Sequence, residues 1–331
     1  MRLVLIGVGV GPVPEVFHHQ AHRFGHGKSV VGVGRNRVVR CGVRFVEMLT
    51  TTDEPAAKIH PTATIDPEAE LSPGVEVGPN CTIRGDVKLG RGVVLIANVF
   101  LQGPLEVGEG TVMYPNVCVG FPPQDFKFKP GMASAGVKIG SQCVLREGMT
   151  IHQASKAPGA GPPTTVGDRC FLMVQSHLGH DARIGNDVVM CNGAMLAGHT
   201  EVGDKVTISG NVAIHQFVRV GRLAMLSGLV AISRDLPPFC ISGERNTMHG
   251  LNQVGLRRNG VPREEITMLR RAFREAFRVR LPRSEQNAIL AELGKQSAHV
   301  RELAEFCAAS KRGLVAVSAN HGGDSESDPD A

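Results

Sequence analysis

The sequence predicts an all-β solenoid, a parallel β-helix of hexapeptide repeats, closed by a C-terminal α-helical domain. Three observations predict it. From Ile59 to Cys118 an aliphatic residue recurs at nearly every sixth position, and after two interruptions the period returns from Val166 to Pro237. Within each hexad a large aliphatic stands first, Gly or a small polar residue fills the second to fourth places, and a small residue stands fifth, as in VGPNCT (77–82) and IGNDVV (184–189). Past Pro237 and Pro238 the six-residue period stops, and apolar residues recur at helical spacing. A β-helix accounts for the first two observations, since three hexads make one coil whose aliphatic side chains stack inward. An amphipathic helix would recur every three to four residues and a half-buried strand every two.

Taken in order, residues 1–58 match no repeat and are expected to lie outside the fold, disordered or the product of an early start, with Met48 just ahead of the first hexad. The GVGVG stretch near the N-terminus lacks the βαβ unit a dinucleotide site needs, and HGKS (26–29) lacks the first Gly of a P-loop. Residues 59–238 form the β-helix. Its corners are expected at Gly and Asn, where positive φ is easiest. Small residues at position five include Cys81, Cys143 and Cys170, read as core residues rather than ligands. Two segments break the phase, near 121–137 and 153–163, and read as loops thrown out from coil corners. Residues 239–315 are expected to be a three- or four-helix domain, with Ile266, Leu269, Phe273, Ala276 and Phe277 on one helix face and further helices near Ser284–Gly294 and Ser297–Arg312. The acidic, apolar-poor residues 316–331 are expected to be a disordered tail.

Composition narrows the function. The chain has 331 residues, 40 Gly, one Tyr, no Trp and a formal charge of +5. That suits a narrow aliphatic core and argues against an aromatic nucleic-acid platform. The 8 Cys show no paired spacing, so neither a zinc framework nor disulfides are indicated, and a reducing, cytoplasmic setting is expected. No apolar run is long enough for a transmembrane helix.

The chemical clue is a lane of histidines. His180, His199 and His215 fall within one position of a vertical line through successive 18-residue coils, and His177 borders it. His152 stands apart and reads as a solvated side chain. A histidine near its ordinary pKa is the natural base at neutral pH, and the adjacent Asp181 would fix its tautomer. Gly179 and Gly198 leave backbone N–H groups accessible, as an oxyanion site in acyl transfer requires. No Ser or Cys is placed as a nucleophile, which favours direct transfer. Three histidines also suit Zn²⁺ with water in the fourth position, so the metal reading stays open here.

At SHLGHDARIGN (176–186), LAGH (196–199) and IHQF (214–217) the chain resembles the UDP-N-acetylglucosamine O-acyltransferases of lipid A synthesis, which take their acyl group from acyl carrier protein. The likeness extends through QDFK (124–127), RDLPP (234–238), NQVGLRRNG (252–260) and KRGL (311–314), over roughly residues 59–315. It implies a left-handed β-helix, a homotrimer with sites between subunits, and no metal or organic cofactor. It also implies His180 as general base, Asp181 orienting it, and the Gly198 N–H as oxyanion donor. Asp125, Lys127, His177 and His199 would hold the sugar, and His215, Gln216, Asn252 and Arg258 the uridine diphosphate. Gly228 falls where the family ends its acyl groove, which implies room for a longer hydroxyacyl chain. Val254 and Asn259 depart from the family pattern, which carries an acidic residue and an Arg there. An acidic carrier would meet basic residues, for which Arg270, Arg271, Arg274, Arg278, Arg280 and Arg283 offer a patch.

Three other readings compete. The later N-acyltransferase of the same pathway shares the coils but carries a folded domain before them. A γ-type carbonic anhydrase is a zinc trimer of the same fold class, but its His-x4-His pair is missing. A non-catalytic scaffold would leave the His180–Asp181 pair without purpose.

Overall fold

A computed structural model describes residues 55–278 and 281–318. The expected fold class is present. Strands of two to four residues build three parallel sheets, each strand pairing with the equivalent strand one coil away. The register is 18 residues per coil, as for Lys58 with Glu76 and Arg169 with Asp187. It widens to 32 residues between Thr111 and Cys143 and to 27 between Thr150 and His177, where the two loops leave the coil.

First- and fifth-position side chains fill the interior. Val75, Cys81, Ile83, Val93, Leu95 and Val99 are all at most 1 % exposed, each such aliphatic contributing about 1.5–3 kcal/mol through burial. The fourth position takes a left-handed backbone in most hexads. Asn80, Asn98, Asn116 and Asn211 do so alongside Gly74, Gly92, Gly110, Gly148 and Gly193. The expectation that corners select Gly and Asn is therefore incomplete, because Arg169, Asp181, His199, Phe217 and Leu229 adopt the same conformation.

The three outer faces differ. One carries a ladder of charges, with Lys88 paired to Glu70 and Lys138 to Glu106 at 3.1 Å, and Arg183 to Glu201. The second presents Val94, Val112, Val144, Phe171 and Val189, all half-buried in the single chain. The third presents Phe100, Cys118, His177, Met195 and Ala213.

Beyond the coils, a hairpin of Cys240–Glu244 and Thr247–Leu251 precedes four helices: α1 (Gln253–Arg258), α2 (Arg263–Phe277), α3 (Arg283–Gly294) and α4 (Ala298–Ala308). Glu264 and Glu265 in the first turn of α2 favour its N-terminus, and Ser297 caps α4 by accepting from the Val300 N–H. The last coil grips this domain through Arg222, which pairs with Glu302 at 2.8 Å and lies over Phe239, and through Arg219 over Phe306.

Three boundaries need correction. Lys58 belongs to the first strand, not to an extension, because it extends the Glu76 ladder and pairs with that carboxylate at 2.7 Å. Residues 316–318 are not part of a disordered tail, since Ala316–Val317 pairs with Thr247–Met248 and Ser318 N–H donates to Met248 O. The apolar run Leu314–Val317 covers an otherwise open hairpin edge. Helix α4 ends at Ala308 instead of near Arg312 because the chain turns back there, through Gly313 at φ +77°, to reach that edge. The expectations for residues 1–54 and 319–331 lie outside the described residues.

Candidate active site

The site is built on the corner that follows the third face. His180 and Asp181 stand at positions three and four of LGHDAR, and His199 and Phe217 occupy position four of the next two coils. Identical turns thus stack Asp181, His199 and Phe217 in one column, with His180, Gly198 and Gln216 in the column beside it.

His180 Nδ1 donates to Asp181 Oδ2 at 2.7 Å. That bond assigns the proton to Nδ1 and leaves Nε2 with its lone pair. The second loop supports the carboxylate, as Ser155 N–H donates to both oxygens at 3.1 Å, and Thr164 Oγ1 accepts the Asp181 N–H at 2.8 Å. Burial alone would raise the Asp181 pKa, but the bonds from His180 and Ser155 outweigh it and hold the carboxyl below its ordinary value.

Gly198 lies under the His180 ring, and a Cβ built there would sit 2.7 Å from Nε2 and 2.8 Å from Cε1. A Cβ on Gly179 would come within 2.7 Å of the Gly198 nitrogen. Among the described residues the Gly198 N–H donates to no acceptor. Base and free amide therefore face one trough of roughly 560 Å³, whose floor includes Met195, Ala213 and Ala231 and whose far end holds Ser233 and Arg245.

The structure brings His177, His180, Gly198, His215 and Gln216 together along this trough. His199 sits on the other flank of the same corner, its ring 5.1 Å from that of His180 and its Nε2 3.6 Å from Asp181 Oδ2. Burial pushes the His199 pKa down, with the Asp181 charge opposing. His215 does not stack on His199; Phe217 does, so the histidine line divides between two flanks. Asp125 acts on His199 electrostatically from the first loop, its Oδ1 accepting the Lys127 N–H at 2.9 Å, and Gln124 of that loop lines the trough.

Asn252, Arg258 and Gly228 stand apart in the single chain. Asn252 is buried, donates from Nδ2 to Leu223 O, and accepts the Gly255 N–H as the cap of α1. Arg258 is exposed at the end of α1, and Gly228 lies on the neighbouring corner, where a Cβ would meet only Gly210 O at 3.6 Å.

His152 corrects the sequence reading, for it is not a solvated side chain. Its ring packs edge-on against His177 at 5.0 Å, it lines the trough, and burial with the nearby His177 and His180 pushes its pKa down to about 4. His177 is lowered too, by burial first and His180 second, and its Nδ1 shares a 2.7 Å hydrogen bond with Thr150 Oγ1.

His180, Asp181 and His199 each offer an atom within 4.8 Å of the others, a spacing a metal ion could use. The same carboxylate already receives His180 Nδ1 and two contacts from the Ser155 amide, the pattern of a hydrogen-bonded dyad.

A hexapeptide β-helix carrying a half-buried His–Asp pair beside an open amide defines a hexapeptide-repeat acyltransferase. Residues 235–315 match the family model described as UDP N-acetylglucosamine O-acyltransferase, domain 2. The acyl-[acyl-carrier-protein]–UDP-N-acetylglucosamine O-acyltransferase of Alkalilimnicola ehrlichii is 46 % identical over 259 residues, covering 78 % of this chain and 99 % of the relative. That of Burkholderia orbicola is 44 % identical over 263 residues, with 78 % and 99 % covered. The UDP-N-acetylglucosamine acyltransferase structure from Francisella novicida superposes with a TM-score of 0.75 at 30 % identity, over 79 % of this chain and 95 % of that one. The chain belongs to the acyl-[acyl-carrier-protein]–UDP-N-acetylglucosamine O-acyltransferase family.

Proposed function

We propose that the protein transfers a 3-hydroxyacyl chain from acyl carrier protein to the 3-hydroxyl of UDP-N-acetylglucosamine, the first step of lipid A synthesis, with His180 as base. The observation that carries this reading is the His180 Nε2 lone pair, oriented by the Asp181 bond and set against the open Gly198 amide. The sugar 3-oxygen attacks the thioester carbonyl as Nε2 takes its proton. The carbonyl oxygen becomes an oxyanion held by the Gly198 N–H. Collapse forms the ester and breaks the C–S bond, and the imidazolium returns its proton to the departing carrier thiolate. Asp181, with its pKa held down, stays ionised and stabilises that imidazolium.

His177, His199, Asp125 and Lys127 are assigned to the sugar. His215, Gln216, Asn252 and Arg258 are assigned to the nucleotide, with Arg258 matching phosphate oxygens as a fork. Because the Asn252 amide is occupied within its own chain, its part is to hold α1 and so Arg258. The apolar floor of Met195, Ala213 and Ala231 suits an acyl chain, and Gly228 leaves the neighbouring corner open for a longer one.

The character of the faces supports assembly as a homotrimer. One face of the prism is lined by ion pairs, while the other two carry few charges and many half-buried apolar side chains, a distribution that suits face-to-face contact between three copies in a closed ring. The trough lies along the third face, in keeping with a site between subunits in such a trimer. Of the basic patch, Arg271 pairs with Glu275 and Arg283 donates to Cys307 O, while Arg270 and Arg274 are exposed on α2 and are assigned to the acidic carrier. Arg280 is outside the described residues. No described helix is long and apolar enough to cross a membrane, and the described cysteines are free thiols, in keeping with a reducing cytoplasm.

The test is transfer from 3-hydroxyacyl carrier protein to UDP-N-acetylglucosamine in metal-free buffer, with the ester position and bound zinc both measured. A 3-O-ester formed without stoichiometric zinc is expected. Activity that disappears on chelation and returns with zinc would replace the dyad with a metal mechanism.

A further inference from the structure

The fourth position of a hexad is costly for a large side chain because its backbone is usually left-handed; Gly fills it at Gly92, Gly110 and Gly193, and the large residues found there include Arg169 and Leu229. Phe217 occupies it at φ +63°, with the residue 49 % exposed in the single chain, so neither conformation nor burial within its own chain explains an aromatic ring there. What the ring does touch is His199, on which it lies flat, centroids 4.5 Å apart and planes 5° from parallel. His199 in turn stands edge-on to His180 and keeps its Nε2 at 3.6 Å from Asp181 Oδ2, outside hydrogen-bonding distance, while His180 holds the same oxygen at 2.7 Å. A small rotation of the His199 ring would let both imidazoles claim one carboxylate oxygen.

We propose that Phe217 is a positioning residue for acyl transfer, clamping the His199 ring so that Asp181 stays committed to His180. Lys156, Arg219 and Asp235 line the recess around the exposed side of the column, and none of them stacks on His199 in place of Phe217. The inference rests on the reading of His180 as base. It adds that the column Asp181–His199–Phe217 acts as one unit, in which Phe217 works only through His199.

A double-mutant cycle on the full-length protein tests it, measuring kcat and KM for UDP-N-acetylglucosamine in Phe217→Leu, Phe217→Tyr, His199→Gln and the Leu/Gln double variant. Phe217→Leu is expected to lower kcat about tenfold with KM within about twofold, because the misplaced group is the base's support and not a substrate contact. Phe217→Tyr, which keeps the flat ring, is expected to retain activity. In the His199→Gln background Phe217→Leu is expected to have no further effect, the signature of coupling between neighbours. The unfolding midpoint of each variant separates this from lost stability, since a merely structural role would lower the midpoint and add to the His199→Gln effect. Additive losses, or Phe217→Leu matching an active wild type, would overturn the inference alone. An inactive wild type would overturn the reading of the site and this inference with it.

Discussion

Two corners of the same β-helix make one backbone turn with opposite choices of side chain. The corner after the second face carries mainly Asn80, Asn98, Asn116, Gly148, Gly193 and Asn211, the residues that tolerate a left-handed backbone best, with Gln175 and Leu229 as exceptions. The corner after the third face carries Asp181, His199 and Phe217 in the same conformation. At its Asn and Gly positions the second-face corner is what folding alone would select. In the third-face corner, conformational cost of about 1–2 kcal/mol per residue is accepted, and the three side chains touch one another beside an open amide. What sets the third-face corner apart is that its large residues stand in consecutive coils and contact one another.

The largest expected effect is at the oriented dyad. Asp181→Asn removes the charge that fixes the His180 tautomer and should cut kcat by about 10³-fold, while Asn98→Asp on the quiet corner should leave turnover within about twofold, both read by steady-state transfer. Next comes a matched pair at position three. Gly198→Ala drives a Cβ to 2.7 Å from His180 Nε2, whereas Gly210→Ala meets only Asn192 O at 3.5 Å. Gly198→Ala keeps its N–H but pushes the His180 ring out of place and should lose about 10²-fold in kcat, the scale of a misplaced catalytic group, and Gly210→Ala should be close to wild type. Equal losses would dissolve the contrast between the corners.

How much of this was legible beforehand differs by feature. The hexads showed because inward side chains repeat every six residues whatever the outer surface does. The dyad showed because His180 and Asp181 are adjacent in sequence. His152 escaped because the second loop widens the register from 18 to 27 residues, so counting by coils does not reveal that it packs under His177. Phe217 was quoted only as part of a motif, since neither its φ nor its stacking on His199 can be read from residue type. The hairpin strand Thr247–Leu251 and its partner Ala316–Val317 were missed because two-residue pairing across a whole helical domain leaves no periodic signal.

The remaining predictions are smaller. Charge reversal of Arg270 and Arg274, exposed on α2, should raise KM for the carrier severalfold with kcat and unfolding midpoint unchanged, an effect that fades at high salt. For His152, the folded pKa of about 4 lies below the ordinary histidine value. The unfolded chain therefore binds the proton first, and stability is lost as pH falls from about 6.5 toward 4. Denaturant midpoints across that window should fall less steeply for His152→Gln. The smallest effect is conformational. Asn98→Ala should destabilise by about 1 kcal/mol, while His199→Gly should be neutral or stabilising by a similar amount and still lose activity.

The most direct test of the account is the pH dependence of kcat/KM for acyl transfer by the wild type and by His180→Ala, at saturating carrier substrate. The wild type should show an acidic limb reporting protonation of the base, and His180→Ala should retain its fold, lose at least about 10²-fold in rate and lose that limb. A His180→Ala protein that transfers at the wild-type rate with the same acidic limb would contradict the assignment of the base.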